Sequence, residues 1–301
     1  MPASYGDVKS EYISLKESVA LHDASYLGRI KGTGVDVLDL LNRISTNKVE
    51  HLTLGEGVPT VLTNEKGRIV DLISVHNMGD CIFVMTSEGM GNKVVNWIEK
   101  FTIMEDSVLH ECSNMTSLLY VLGPCVTGIF CGITNSTFNG LQPYHSTLMW
   151  VEDMELTVIR KDLGDVMGYQ ILVSLEHAER LWTMLLGFGV RPVGTSALET
   201  LRVQSGLPSY GKEIDERVNP LEAGLSSVVD FDKGCYIGQE VIARLDTYSK
   251  VRKNLVSLVI SNWEEFPGQC ILLHEGKDVG TITTLASVPD EGDLIGLGYV
   301  R

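Results

Sequence analysis

Strand-like and helix-like segments interleave through residues 1–250, whereas residues 254–301 hold only short strands divided by polar turns. No G-x-G-x-x-G follows a strand and no G-x-x-x-x-G-K-[ST] occurs, so the phosphate-cradling loops of doubly wound and P-loop folds are missing. These observations predict an α+β chain: mixed lobes of ferredoxin-like character followed by a small β-barrel or partial sandwich. A length of 301 residues with 44% hydrophobic composition suits about two domains and a sizeable core. The boundary falls in the charged stretch around Lys250, giving domains 1–249 and 250–301. The apolar run ending at Arg301 leaves the last strand barely closed, as in a trimmed chain.

Taken in order, 26–34 has strand character, and Val37, Leu40, Leu41 and Ile44 then recur at helical spacing. Residues 58–63 and 67–78 read as strands, and a Met-Gly-Asp turn precedes the strand 81–87. A helix over 92–103 places Val94, Val95, Ile98 and Phe101 on one side, and 107–113 returns as a strand. A second series runs through strands at 117–123, 154–161 and 169–175 into a helix over 176–189. Beyond Asn254 the strands are 255–262, 270–287 and 294–301, with turns at 266–269, 275–278 and 289–293.

Lys plus Arg number 24 against 39 Asp plus Glu, a net charge of −15 that repels a phosphate backbone. Direct nucleic-acid binding is therefore not expected. Residues 202–253 carry eight basic and eight acidic residues, so an anionic ligand meets least repulsion there. Nothing approaches the roughly 18 uninterrupted apolar residues of a membrane helix. The mixed charges of the first 23 residues fit neither a secretory signal nor a mitochondrial presequence, so a cytoplasmic location is expected. Six cysteines lack any C-x-x-C pair, and free thiols follow. Cys81 and Cys125, inside apolar runs, read as small buried residues; the seven scattered histidines suggest no metal site.

The chemistry concentrates in 200–250. Gly234 and Gly238 bracket Cys235, and a helix from Gly238 to Leu245 would set that thiol just before a helix N-terminus. Unpaired amides there favour a thiolate, and Lys233 two residues earlier pushes the same way. The plain alternative is a small buried thiol in a tight loop.

The run Lys233, Gly234, Cys235, Tyr236, Ile237, Gly238, Gln239, Glu240 resembles the signature of the YgfZ family, folate-binding proteins linked to iron–sulfur cluster assembly and repair. That family is related to the aminomethyltransferase (T-protein) of the glycine cleavage system. Residues 21–49, 61–75, 201–215 and 219–225 are similar to its opening strand and helix, its folate-facing hairpin and its central segment. The resemblance implies two mixed α/β lobes and a C-terminal β-barrel around a central channel holding tetrahydrofolate.

Two departures stand out. The segment resembling 201–206 usually carries a pterin-gripping Glu where this chain has Gln204, which offers one acceptor and an amide NH2; Glu222 is a nearby acid that would compensate. The hairpin of aminomethyltransferases resembles G-G-x-x-D-D-L, whose second Asp contacts the reacting region of folate. Here the run Gly67–Ile73 holds one carboxylate, Asp71, as the candidate for that role, against a plain place on the solvent face of a strand. By the same resemblance Tyr210 stacks on or bonds to folate. Arg244, with Lys250, Arg252 and Lys253, meets its glutamate tail unless these are simply a solvated edge.

The resemblance favours a YgfZ-like factor supporting iron–sulfur enzymes or assembly proteins, with Cys235 as the functional thiol. A tetrahydrofolate-dependent aminomethyl- or methyltransferase that uses Asp71 is the alternative, and a binding module that has lost folate use is a third reading.

Overall fold

The computed structural model describes residues 1–134, 141–248, 250–262, 270–289 and 292–301. In chain order, helix α1 (Val8–Glu17) and strand β1 (Ala20–Asp23) precede a lobe built from β2 (Leu27–Thr33), α2 (Val37–Ile44), β3 (Gly57–Thr63), β4 (Ile69–Asn77), β5 (Ile82–Glu88), α3 (Gly91–Glu99) and β6 (Val108–Glu111). The second lobe holds β7 (Thr116–Leu122), α4 (Val126–Thr134), β8 (Ser146–Val151), β9 (Met154–Arg160), β10 (Gly168–Ser174), α5 (Ala178–Gly187) and the short β11 (Arg191–Pro192). Then come α6 (Thr195–Gln204), α7 (Gln239–Thr247) and the closing strands β12 (Asn254–Ile260), β13 (Ile271–His274), β14 (Lys277–Ser287) and β15 (Leu294–Val300).

The first sheet, in order β3-β4-β5-β2-β6, is wholly antiparallel. Without β3 it is a ferredoxin-like βαββαβ unit, as the interleaved strands and helices predict. Val37, Leu40, Leu41 and Ile44 of α2 and Val94 and Ile98 of α3 are buried on one face of it. Each such side chain contributes roughly 1.5–3 kcal/mol by leaving water. The turn into α2 needs Gly34: its φ is +114°, and a Cβ there would strike the Asp106 carbonyl.

The second sheet has the order β11-β1-β7-β10-β9-β8. Beside β7 lies β1 from the start of the chain, so the two lobes are stitched together by the first strand. Residue spacing carries no sign of that long-range pairing. Helices α4 and α5 cover one face of this sheet around Phe130, Tyr169, Leu181 and Leu185. The uncovered faces of the two sheets meet, with α1 and α6, in a shared core holding Phe83, Met85, Leu118, Tyr120 and Leu201.

The expected barrel is not what the C-terminal strands form. They make an antiparallel sheet ordered β12-β15-β14-β13, open among the described residues, because β12 and β13 are its edges. The expected turn at 266–269 and part of that at 289–293 lie outside the described residues. The thiol expectations are also corrected in part. Cys125 is exposed at the mouth of α4, where the residue before the first turn stays outside the core, and Cys81 is half-buried where a surface bend enters β5.

Candidate active site

Helix α6 turns Leu198, Glu199 and Arg202 to one side, the i, i+1, i+4 spacing of a helix face. Opposite stand Tyr26 and Leu27 at the start of β2, Leu72 of β4, and Ser87 and Glu88 at the end of β5; Ser209, Tyr210 and Ile214 close the third side. Together they enclose a cavity of about 460 Å³, within the usual range for small-molecule sites.

The polar groups of this cavity are held from behind. Arg202 grips Glu199 with two parallel bonds, Nε to Oε2 at 2.8 Å and Nη2 to Oε1 at 2.7 Å, and reaches Glu213 Oε2 at 2.9 Å. Burial works against the Arg202 charge, but the two carboxylates outweigh it and raise its pKa above the usual value. Lys212 adds a bond to Glu199 at 2.6 Å. Glu213 is buried and also accepts from the Ser209 amide and from the hydroxyls of Thr283 and Thr284 on β14. Tyr299 of β15 donates to the Glu213 carbonyl at 2.8 Å. One carboxylate thus joins α6, the loop after it and the C-terminal sheet.

Asp71 is fully buried rather than solvent-facing. Adjacent strand residues point to opposite faces, so Leu72 lines the cavity while Asp71 lies behind that wall. Its oxygens accept from the Leu72 amide at 2.9 Å and the Ser87 amide at 3.0 Å. Burial pushes its pKa up to about 6, against the pull of the Ser87 hydrogen bonds. Asp71 itself is not among the residues that line the cavity.

The other expected residues scatter. Tyr210 lines the cavity, and its hydroxyl accepts from Lys93 Nζ at 3.2 Å, with Glu216 holding the same ammonium at 2.7 Å. Gln204, the last residue of α6, is exposed and accepts from the Tyr12 hydroxyl at 2.6 Å; it is not among the cavity residues. Glu222 is buried in an ion pair with Arg68 at 3.0 Å and accepts from the Asn219 amide, tying the β3–β4 hairpin to the central segment. Arg244 and Glu240 are exposed on α7, as are Lys250 and Arg252 just beyond it, while Lys253 is half-buried with its ammonium over the Tyr299 ring. Glu199, Arg202, Ser87 and Tyr26 are among the cavity residues that the sequence did not single out. The one available hint was the helical spacing of Leu198, Glu199 and Arg202.

The signature run forms a tight loop. Cys235 is exposed, four residues before the first residue of α7. Lys233 does not serve the thiol as expected. Its buried ammonium donates to the carbonyls of Asn42, Ser45 and Asn47 at 2.8, 2.8 and 2.6 Å, satisfying orphan acceptors at the end of α2. Burial pushes its pKa down to about 8. Gly234 is exposed, Tyr236 is buried, and Gln239 donates back to the Lys233 carbonyl at 3.4 Å. Gly238 has φ +82°, and a Cβ there would lie 2.5 Å from the Asn64 carbonyl, so the loop is clamped on the β3–β4 turn.

A second cavity of about 980 Å³ opens between the sheets, lined by Leu54, Met78, Phe83, Met115, Leu148 and others. It is larger and mostly apolar; Lys31, Asp80, His110 and Glu155 also line it, but it has no guanidinium or tyrosine such as the first cavity gathers. Among the described residues no cluster suits a metal ion, and no helix is long and apolar enough to cross a membrane.

A paired-lobe α+β fold with a polar cavity against α6 defines a class whose relatives are identifiable. The model of the GCVT N-terminal domain matches residues 1–233, and the chain belongs to that family. It is 28% identical over 308 residues to an aminomethyltransferase of Chloroherpeton thalassium, covering 100% of this chain and 84% of that protein. A putative chloroplastic transferase of Arabidopsis thaliana is 32% identical over 285 residues, covering 94% of this chain and 65% of the relative. The crystal structure of glycine cleavage system aminomethyltransferase T from Bartonella henselae superposes with a TM-score of 0.89 at 21% identity, covering 100% of this chain and 83% of that one. That likeness establishes a shared fold.

Proposed function

We propose that this chain is a tetrahydrofolate-dependent one-carbon transferase of the aminomethyltransferase type, binding reduced folate in the cavity against α6. The observation that carries it is the convergence of Glu199, Arg202, Tyr26 and Tyr210 on one cavity of about 460 Å³ in a chain whose relatives are named aminomethyltransferases. Apolar walls from Leu27, Leu72 and Leu198 suit the faces of a flat heterocycle, and the fixed polar groups suit its edges. Asp71, behind Leu72 and Ser87, is a positioning residue: by holding both amides it sets where the wall stands. In this reading the methylene carbon of an S-aminomethyl carrier passes to two nitrogens of the reduced folate. The carbon–sulfur bond breaks to return the carrier thiol and the nitrogen leaves as ammonia, the two folate N–H protons going to the sulfur and the ammonia.

Calorimetry with tetrahydrofolate, followed by an ammonia-release assay with an aminomethyl-loaded carrier, tests the reading. Binding plus ammonia release supports it, and absence of folate binding overturns it. A narrower reading, a YgfZ-like factor supporting iron–sulfur enzymes or assembly proteins, draws support from the exposed Cys235 within its clamped loop. One cysteine supplies one ligand, so any cluster contact would be shared with a partner. In cells lacking the protein, Cys235→Ala that fully restores iron–sulfur enzyme activity removes that narrower reading.

A further inference from the structure

The wall that carries Tyr26 has a hydrogen-bond polarity fixed from behind. His22, fully buried on β1, has its Nδ1 3.0 Å from the Val193 carbonyl oxygen. A carbonyl can only accept, so Nδ1 carries the ring proton. Burial holds the His22 pKa below its ordinary value, so at neutral pH Nε2 is an unprotonated acceptor. The Tyr26 hydroxyl lies 3.2 Å from that nitrogen, with the two rings edge-on at 5.7 Å between centroids. Tyr26 therefore donates its proton to His22, and its oxygen lone pairs are what that side chain has left to offer. Tyr210 is set the other way: its oxygen accepts from the Lys93 ammonium, leaving its own proton to give.

We infer that Tyr26, oriented by His22, is a specificity-determining acceptor that selects an occupant presenting a ring N–H and disfavours one presenting a bare ring nitrogen. The inference rests on the folate reading of this cavity and deepens it. Reduction of a pterin ring converts imine nitrogens, which only accept, into N–H groups, which donate. A fixed acceptor facing them distinguishes the two oxidation levels: one forms a bond, the other sets lone pair against lone pair. Tyr210, with the opposite polarity, serves an acceptor such as a carbonyl on the same occupant. No proton is passed along the pair. Moving the Tyr26 proton to His22 would make a tyrosinate and an imidazolium, and burial opposes both, pushing the Tyr26 pKa up to about 12 and that of His22 down.

The test compares tetrahydrofolate with folic acid on the full chain by calorimetry. The native protein should prefer tetrahydrofolate, and Tyr26→Phe, which keeps the ring and removes the oxygen, should lose about tenfold of that preference. An unchanged preference in Tyr26→Phe overturns the inference while leaving the folate reading standing. Failure of the native protein to bind either ligand sinks both. Nitrogen-15 spectra of His22 give a readout independent of ligand: a neutral ring protonated at Nδ1 is expected, and protonation at Nε2 overturns the assignment.

Discussion

Replacing Asp71 by Asn tests the buried carboxylate at constant shape. In the folded chain its pKa stands at about 6 against an ordinary value of 3.8. A raised folded value means that the native state holds the proton more tightly than the unfolded chain. The stabilisation is complete below the unfolded value and is lost as pH rises through about 6. At about 1.36 kcal/mol per pH unit the whole loss is about 3 kcal/mol, of which about 2 kcal/mol falls between pH 4.5 and 7.5. Asn does not titrate, so Asp71→Asn should flatten the pH dependence by that amount. Its side-chain oxygen can accept from only one of the Leu72 and Ser87 amides, while its NH2 faces the other donor, and this offsets the gain at pH 7.5 by about 1–3 kcal/mol. The assay is urea unfolding of both proteins at pH 4.5 and 7.5. The reasoning fails if the two proteins lose the same stability between those pH values.

Three further outcomes are expected. Lys233→Met removes the donor to three carbonyls and should cost about 2–4 kcal/mol of stability by denaturant titration; a change under about 0.5 kcal/mol would mean that water replaces the ammonium without loss. Gly238→Ala places a Cβ against the Asn64 carbonyl at a left-handed backbone position and should cost at least about 1–2 kcal/mol by the same measurement. Gln204→Glu should leave tetrahydrofolate affinity within about twofold, since Gln204 faces Tyr12; tightening of about tenfold would return this residue to the binding site.

The ferredoxin-like first lobe was legible because its helices carry their apolar faces at regular spacing, as in Val37, Leu40, Leu41 and Ile44. Helix α4 was not, because Gly128, Gly132 and β-branched neighbours blur its pattern; nor was the placing of β1 in the second sheet, since pairing across about a hundred residues leaves no local trace. At the site, Tyr210 and Asp71 were visible through resemblance, but Asp71 was expected to face the occupant. One residue of strand alternation decides which face it takes, and the bulge between β3 and β4 beside it hides that parity from sequence. Lys233 misled for a related reason: closeness in sequence to Cys235 says nothing about where a long side chain finds its acceptors. Nothing in the sequence marks Glu199 and Arg202 beyond their helical spacing, and only the fold brings Glu213 to them.

The carboxylate of Glu213 makes the chain's two ends of function hard to separate. Cutting the protein at residue 250 would remove the Thr283 and Thr284 hydroxyls from the carboxylate and Tyr299 from the Glu213 carbonyl, leaving a buried anion held by Arg202 and the Ser209 amide alone. The guanidinium would then be drawn toward that unsatisfied charge and away from Glu199, slackening the cavity wall from a distance. A shortened version that still folds should therefore be a poor ligand binder, and the C-terminal strands are better regarded as a keystone of the cavity than as an accessory module.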